Sequence, residues 1–396
     1  MTLSEELTWR GFVNQTTLKD ITELDRAPLT FYWGVDPSAS SMTVGNLAMA
    51  MMVRHFINHG HKAILLVGGA TGVIGDPDGK AQERDLKSLD EVARNKAGIV
   101  SQYRKVFAGQ DFEIVDNYDW FKDLGYLDFL RTVGKHMSMT QLLDREFVQS
   151  RIGQGGSGIS YAEFSYSLIQ GYDFLHLFRE KGVTLQVAGA DQWGNSISGV
   201  ELIRKLEGKE SHVWTGPLVV NKSTGIKFGK SETGAIWVDA EQTSVFDYYQ
   251  FWLNADDAGV IEYMKMYTLL GKDEIEDYER QLQQNPAGRA AQKALAYEAT
   301  KIVHGQEQAD AAVEATAQLF SGGESQLTPT VEITPGTYPV AELVVKAGLA
   351  ASNSEARRLF EQGGIKLNQQ KVETAELTVA SGDLLQVGKR RFAKIA

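Results

Sequence analysis

The segment Tyr32–Leu47 (YWGVDPSASSMTVGNL) combines residue types that suit a phosphate group. An apolar run ends at Asp36, a Pro/Ser turn follows, and a helix opens near Gly45. A helix N-terminus offers free N–H groups and the positive end of the dipole, and Ser38 and Thr43 add hydroxyl donors. Gly45 leaves room for a flat base. An ordinary strand–turn–helix with N-capping serines would look the same, so this segment leaves both interpretations open.

Two lysines on a polar loop suggest a second contact with phosphate. Lys227 and Lys230 occur in KFGKS, shortly after Gly225. As mobile cations they can reach a polyphosphate and act where charge develops during phosphoryl-group chemistry. The spacing of Gly225 and Gly229 does not match a Walker A loop. A solvated loop is the alternative interpretation.

Three polar residues occur at helical spacing. Tyr166, Gln170 and Asp173 stand at positions i, i+4 and i+7, which lie on one helix face. Apolar neighbours such as Phe174 indicate that the helix is mostly buried rather than solvated. Because buried polar groups need partners, a small polar ligand is one candidate partner for this face.

The segment Gly189–Gln192 follows the apolar stretch LQVA and places Asp191 and Gln192 at the carboxyl end of a strand. Ligands bind at that edge of a parallel sheet. The glycines of GGATGVIG lack the dinucleotide spacing, and the seven histidines show no metal-like pairing. With no cysteine in the chain, disulfides, Cys-ligated zinc and thiol nucleophiles are excluded. No protein-bound metal is expected.

The secondary-structure pattern predicts an α/β protein. Apolar strands are expected at Leu29–Asp36 and Ala63–Gly68, weaker ones at Glu113–Val115 and Leu185–Ala188, and a helix at Asn46–Asn58. Alternating strands and helices favour a mostly parallel sheet with helices on both faces. Residues 118 to about 180 form a mainly helical insertion, residues 244–319 are helical in pattern, and residues 339–396 form a short αα-then-β module.

Charge is distributed unevenly between the C-terminal module and the remaining chain. The net charge is −11, but residues 339–396 hold nine Lys/Arg against six acids, a charge of +3, so residues 1–338 carry −14. A basic module on an acidic body is typical of a local RNA-binding part. No apolar run approaches the roughly 18 residues that cross a bilayer, and the acidic start lacks the basic region of a secretory signal. We therefore expect a cytoplasmic protein without a membrane partner.

Several longer motifs resemble those of bacterial-type tyrosyl-tRNA synthetases of class I. The motifs are GVDPSASS, LVGGATGVIGDP, NYDW, VGKHMS, EFSYSLIQGYDF, GADQWGN and KFGKS, and the resemblance runs from Trp9 to the C-terminus. The tail SNSEARRLFEQGGIKLN resembles an S4 RNA-binding domain. The implied fold is α/β: a class I synthetase Rossmann-like parallel sheet with a helical insertion, an α-helical domain, and a small α+β S4-like domain.

The resemblance also implies domain bounds. They are residues 1–225 for the catalytic domain with its dimer-forming insertion at about 118–180, 226–242 for the KFGKS loop and connection, 243–320 for an α-helical tRNA/anticodon-side domain, 321–338 for a Gly/Pro-containing linker, and 339–396 for the S4-like domain.

Roles implied by the resemblance fall into four groups. Tyrosine-binding residues would be Tyr32 and Asp173 at the hydroxyl, Tyr166, Gln170 and Asp76 at the amino group, and Gln192 near the carboxylate. ATP-binding residues would be Gly34, Asp36, Gly45, Gly189, Asp191 and Lys230. Catalytic residues would be Lys227, Lys230, Thr43, Asn46, Ser38, Lys80 and Arg84. RNA-binding residues would be Arg357, Arg358, Lys366, Lys389, Arg390 and Arg391.

The implied activity is a tyrosine–tRNA ligase. It would activate L-tyrosine with ATP and Mg²⁺, release pyrophosphate, and transfer tyrosine to the 3′ end of tRNA(Tyr). The resemblance also implies a homodimer through the insertion, around Val133–Met139 and Tyr161–Phe164, with tRNA bridging both subunits.

One motif departs from the family pattern. The signature His-Ile-Gly-His is Thr43-Val44-Gly45-Asn46 here, and Ser38 replaces the usual Thr. Thr43 is shorter than His and cannot carry a positive charge, which puts the activation rate in question. A catalytically weakened paralogue serving as an RNA-binding or regulatory protein is therefore one alternative. A nucleotidylyltransferase acting on a small molecule is another, against which the basic tail argues.

Overall fold

The computed structural model describes the chain with a few gaps. The described residues are 1–77, 86–153, 155–223, 225, 230–231, 234–321, 330–350, 352–388 and 391–396, with backbone alone at 146, 147, 230, 231 and 319–321. They form two compact units, one of residues 1–220 with 262–267 and one of residues 221–261 with 268–396.

The first unit is built on a six-stranded sheet. Its strands are β1 Gln15–Thr16, β2 Thr30–Val35, β3 Lys62–Val67, β4 Phe112–Asp116, β5 Leu185–Gly189 and β6 His212–Gly216. The spatial order is β1-β6-β5-β2-β3-β4, in which β1 is antiparallel and the other neighbours are parallel. Strand order reverses between β2 and β5, the place where α/β sheets bind ligands. The predicted α/β class is confirmed.

Helices cover both faces of this sheet. They are α1 Leu3–Arg10, α2 Val44–Asn58, α3 Thr71–Ile74, α4 Leu89–Val106, α5 Tyr118–Phe121, α6 Tyr126–Thr132, α7 Met139–Leu143, α8 Glu146–Ile152, α9 Tyr161–Lys181 and α10 Trp193–Glu207. The four predicted strands and the predicted helix at 46–58 are present, each within two residues of its expected bounds. The sequence pattern missed β1, which has only two residues, and β6, which follows a charged stretch.

The long helix α9 carries three of the six predicted tyrosine-site residues and has well-defined ends. Ser160 and Glu163 form a capping box at its start, and Gly182 ends it in the left-handed conformation, with φ 65°. Glu163 also pairs with Arg151 at 2.7 Å, and both side chains are buried. The Arg151 guanidinium donates to the carbonyl of Gly158 at 2.6 Å, which fixes the glycine-rich segment ahead of the helix.

The second unit combines helices with small sheets. Its helices are α11 Val245–Leu253, α13 Lys272–Gln284, α14 Ala290–His304, α15 Gln306–Ser321, α16 Val340–Lys346 and α17 Asn353–Glu361. Its strands are β7 Lys230–Ser231, β8 Gly234–Ala235, β9 Thr330–Val331, β10 Gly336–Pro339, β11 Ile365–Leu367, β12 Gln370–Lys371, β13 Glu376–Val379, β14 Leu384–Val387 and β15 Arg391–Ile395. Helix α12, Val260–Tyr267, has residues in both units. The helical pattern predicted for 244–319 is confirmed.

The predicted linker at 321–338 needs a correction. Strand β9 pairs in parallel with β15, and β10 pairs with β13 over Gly336–Val379 to Pro339–Glu376. Both strands therefore belong to the C-terminal module, whose core includes Ile333. Of the Pro and Gly residues that suggested a linker, Pro335 lies between β9 and β10, and Gly322, Gly323 and Pro329 lie outside the described residues. The other domain bounds stay a prediction. Among the described residues, none of the helices is long and apolar enough to span a bilayer.

Candidate active site

A cluster of polar side chains lies at the carboxyl end of β2. Asp36, directly after the strand, accepts two hydrogen bonds, from the Thr71 hydroxyl at 2.6 Å and from the Tyr166 hydroxyl at 2.7 Å. Asp36 and Tyr166 are 130 residues apart in sequence. The structure thus brings a predicted ATP-site carboxylate and a predicted tyrosine-site phenol into direct contact.

Asn117 links this cluster to Asp173. Its amide oxygen accepts from the Ala70 N–H at 2.6 Å, and its amide nitrogen donates to Thr71 and to Asp173, both at 3.1 Å. The Trp120 indole N–H donates to the other Asp173 oxygen at 2.9 Å. Both carboxylate oxygens of Asp173 are therefore fixed. Asn117, Thr71 and Trp120 were absent from the predicted site; a buried polar residue just after strand β4 was the signal that could have found Asn117.

Close backbone approach at Gly68 makes this network possible. A Cβ at Gly68 would collide with the Asp36 carboxylate and with the Thr71 hydroxyl. Gly68 opens the stretch GGATGVIG, whose glycines lack dinucleotide spacing. At this position glycine is required because a side chain would not fit at the end of β3.

The hydroxyl of Tyr32 lies buried beside Asp173. Tyr32 is 2% exposed, and within the described part of the chain its hydroxyl has no hydrogen-bond partner. Its ring packs on Phe174 with centroids 5.4 Å apart. Since buried polar groups are normally paired, this hydroxyl is suited to a partner supplied by a ligand.

Burial dominates the electrostatics of the pocket. It raises the pKa of Asp173 well above its usual range, while the donors Asn117 and Trp120 oppose that rise. Burial also raises the pKa of Tyr166 well above normal, and the neighbouring charge of Asp36 adds to the effect. The Tyr166 phenol therefore remains a neutral hydrogen-bond donor to Asp36.

Gln192 and Asp76 form a second contact, near the end of β5. The Gln192 amide donates to Asp76 at 2.5 Å, and Asn195 donates to the Gln192 oxygen at 3.3 Å. Asp191 is exposed. A Cβ on Gly189 would lie 2.7 Å from an Asp191 oxygen, so the missing side chain allows this carboxylate to fold back over the strand end.

At the signature turn, Thr43 caps α2. The Asn46 side-chain oxygen accepts from both the N–H and the hydroxyl of Thr43, each at 3.0 Å. The amide NH₂ of Asn46 is then the group that can donate to a ligand. Ser38 and Gly34 are exposed, and Gly45 is half-buried. Gln170 is also half-buried, on α9 one turn before Asp173.

Several predicted residues lie outside the described residues. They are Lys80, Arg84, Lys227, Lys389 and Arg390, and for Lys230 only the backbone is described, in β7 paired with Ala235. In the C-terminal module, Arg357 and Arg358 are exposed on α17 and Lys366 is exposed on β11. Arg391 donates to Glu355 at 2.9 Å, so it is partly neutralised. Within the described residues, no cluster of three or more His, Asp or Glu could hold a metal.

Residues 24–321 match the family described as tRNA synthetases class I (W and Y). The chain belongs to this family. Residues 320–390 match the C-terminal domain described as tyrosine--tRNA ligase SYY-like. The family resemblance found in the motifs is thus confirmed across the whole chain.

Individual relatives agree with this assignment. The chain is 44% identical to the tyrosine--tRNA ligase of Bacillus caldotenax, over 94% of this chain and 92% of that protein. It is 40% identical to the tyrosine--tRNA ligase of Staphylococcus haemolyticus, over 98% of both chains. A truncated mitochondrial tyrosyl-tRNA synthetase from Aspergillus nidulans superposes with a TM-score of 0.73 at 30% identity, covering 81% of this chain and 94% of that one.

Removing the Tyr166 hydroxyl tests the hydrogen bond between a predicted tyrosine-site residue and Asp36, a predicted ATP-site residue. Tyr166→Phe should lower kcat/KM for tyrosine-dependent pyrophosphate exchange about tenfold, because a hydrogen bond to a charged group contributes about 1.5 kcal/mol or more. Tyr297→Phe is the matched control, since its hydroxyl also donates to a carboxylate, Asp310, at 2.9 Å. Equal kinetics for Tyr166→Phe and wild type would show that this bond has no part in activation.

Proposed function

We propose that the chain is a tyrosine–tRNA ligase, which activates L-tyrosine with ATP and transfers it to tRNA(Tyr). The observation that carries the proposal is the buried pair of Tyr32 and Asp173. The Tyr32 phenol has no hydrogen-bond partner among the described residues, and burial together with the nearby charge of the fixed Asp173 carboxylate raises the pKa of that phenol, so a substrate hydroxyl can pair with both groups. A pocket built to bond a hydroxyl rejects an analogue that lacks it, because its own polar groups would stay unpaired.

The amino group of tyrosine carries a positive charge and needs acidic or polar partners. In this proposal Tyr166, Gln170 and Asp76 provide them, and Gln192 binds near the carboxylate. The contact of Gln192 with Asp76 supports this assignment, because it places the two groups side by side. Asp36 then lies between the amino acid and the nucleotide.

The first chemical step needs no side-chain base. The ionised tyrosine carboxylate attacks the α-phosphorus of ATP in line, the bond to the pyrophosphate oxygen breaks, and pyrophosphate leaves. Catalysis then consists of positioning and of stabilising the charge that develops. Ser38 and the Asn46 amide donate from the turn, where Thr43 orients Asn46, and Lys80, Arg84, Lys227 and Lys230 supply positive charge. Mg²⁺ arrives with ATP, held by phosphate oxygens and water rather than by a protein cage. In the second step the 3′-terminal hydroxyl of tRNA attacks the adenylate carbonyl and loses its proton to solvent, the bond from the carbonyl carbon to the phosphate oxygen breaks, and AMP leaves.

Exposed apolar side chains in the insertion support a homodimer. Tyr126, Leu127, Met139 and Tyr161 are each more than half exposed, between 57% and 73%. Contiguous apolar surface on a folded protein marks an interaction site. The homodimer, the cytoplasmic location and the division into catalytic, helical and S4-like domains belong to this proposal.

Pyrophosphate exchange followed by tRNA charging tests the function. Pure protein with Mg²⁺ and tyrosine should incorporate labelled pyrophosphate into ATP, and should then charge tRNA(Tyr). Absence of tyrosine-dependent exchange would overturn the proposal and favour a weakened paralogue. Exchange without charging would favour a small-molecule nucleotidylyltransferase.

The C-terminal module can be tested separately. The double variant Arg357→Ala with Arg358→Ala should weaken tRNA binding about tenfold and reduce its salt dependence, since each phosphate contact contributes through counterion release. Pyrophosphate exchange should be unchanged. The control is Arg179→Ala with Lys181→Ala, which removes two cations, each 39% exposed, from the end of α9. Loss of exchange in the α17 variant would contradict a role confined to RNA binding.

A further inference from the structure

The turn between β2 and α2, residues Pro37–Met42, is held by one face of helix α4. We name these residues the phosphate turn. Asn95, Gly98 and Gln102 occupy positions i, i+3 and i+7 of α4, which lie on one side of a helix. Asn95 and Gln102 are 7% and 3% exposed, although both are polar. Buried amides on a packed helix face need partners, and the phosphate turn provides them.

Gln102 binds the end of the turn through a closed ring of hydrogen bonds. Its side-chain oxygen accepts from the Met42 N–H at 2.7 Å, and its amide nitrogen donates to the Ser41 hydroxyl at 2.9 Å. The Ser41 hydroxyl donates in turn to the Met42 carbonyl at 2.8 Å. The Met42 N–H precedes the N-cap Thr43 and has no place in the helical ladder, so Gln102 satisfies a buried donor that would otherwise stay unpaired.

The beginning and middle of the turn contact the same helix face. The Asn95 amide donates to the Pro37 carbonyl at 3.0 Å. Gly98 lies against the Ser40 carbonyl so closely that a Cβ there would overlap it. The turn is therefore fixed at three points along its length.

Helix α4 is itself attached to the sheet and to α2. The Tyr103 hydroxyl donates to the Leu66 carbonyl in β3 at 3.2 Å, and the Tyr103 ring packs on Trp33 of β2 at 5.5 Å. Arg54 of α2 donates to the Val106 carbonyl at 2.6 Å. Because α4 is fixed in this way, it also fixes the position of the phosphate turn that packs against it.

We propose that Asn95, Gly98 and Gln102 are positioning residues for ATP, which set the phosphate turn and the first turn of α2 in the geometry that binds the nucleotide. They touch no substrate; they act through the backbone of Pro37–Met42 and through Thr43. This inference rests on the proposed function for the identity of the ligand. None of the three contacts a predicted tyrosine-binding residue, so we expect a larger effect on ATP than on tyrosine.

Three variants test the proposal: Gln102→Leu, Gly98→Ala and the milder Asn95→Ala. We measure ATP binding by calorimetry without tyrosine, tyrosine binding separately, and KM for each substrate in pyrophosphate exchange. Gln102→Leu and Gly98→Ala should each raise the Kd and KM for ATP about tenfold, since an unpaired buried donor or a displaced turn costs at least that much. The Kd for tyrosine should stay within twofold and show that the variants are folded.

Gln250→Leu is the matched control, because Gln250 is also buried and donates to Thr316 at 2.8 Å, in the second unit. It should lower the melting temperature and leave the KM for ATP unchanged.

ATP affinity within twofold of wild type in all three α4 variants, or equal losses for ATP and tyrosine, would overturn the positioning role. If wild type binds ATP and the variants lose it, yet wild type shows no exchange, the proposed function fails and the positioning role stands. If wild type binds no ATP, both fail.

Discussion

Asp173→Asn should lower kcat/KM for tyrosine activation by about 100-fold and leave that for phenylalanine nearly unchanged. A hydrogen bond to a buried charged group contributes about 3 kcal/mol, and phenylalanine has no hydroxyl to make it. The substituted amide also cannot accept from both Asn117 and Trp120, which now donate to separate oxygens of Asp173. The measurement is tyrosine- and phenylalanine-dependent pyrophosphate exchange.

The pH dependence of tyrosine binding provides a second measurement on the same residue. Burial raises the pKa of Asp173 well above its usual range. As the pH falls through that raised pKa, the carboxyl gains a proton and accepts less well, so KM for tyrosine should rise on the acid side. Asp173→Asn should lack this dependence, and Asp310→Asn, an exposed control on α15, should keep it. A tyrosine preference that survives in Asp173→Asn would contradict the assignment.

Lys230→Ala should reduce the rate of adenylate formation by about 100- to 1000-fold and leave tyrosine affinity within twofold. A cation aimed at charge that develops in the transition state affects kcat rather than ground-state binding. The backbone of Lys230 lies in β7, paired with Ala235 of β8, so the substitution leaves the strand pairing in place. Single-turnover formation of tyrosyl-adenylate in rapid-mixing experiments measures the step directly.

Lys272→Ala serves as the control for charge alone, since Lys272 is a surface residue of α13, 47% exposed. It should leave both constants unchanged. A Lys230→Ala variant with a raised KM for tyrosine and a normal rate would show that this lysine binds the amino acid instead.

At the signature turn, the residues that differ from the family pattern are accommodated by local hydrogen bonds. Thr43 and Asn46 replace the usual histidines, yet Thr43 donates two hydrogen bonds to the Asn46 side-chain oxygen at the start of α2. The turn ahead of them is held by α4, so its shape does not depend on the replaced residues. The motif that matches the family pattern least well therefore follows a turn that is held by hydrogen bonds with α4.

The local sequence pattern was sufficient to predict most of the strands and helices and many residues of the candidate site. Apolar runs of strand length identified β2 and β3, because buried parallel strands are continuously apolar. The edge strand β4 is only partly buried and contains Glu113, so its pattern was weaker, as was that of β5. The helical spacing of Tyr166, Gln170 and Asp173 placed them on one helix, and the motifs identified the family. The same pattern failed at β1, which has only two residues, at β6, which follows a charged stretch, and at residues 330–339, where Pro and Gly interrupt strands.

The sequence by itself therefore determined the α/β class, the family and the residue types of the site. Only the tertiary structure decided how those residues are joined. Asn117 connects Asp36 to Asp173 through Thr71, the Tyr32 hydroxyl is buried beside a carboxylate, and α4 supports the phosphate turn. The hydrogen bonds among them join residues from 35 to 60 positions apart. Helical and strand periodicity reports only on neighbours within a few residues, so it carries no information about such pairs.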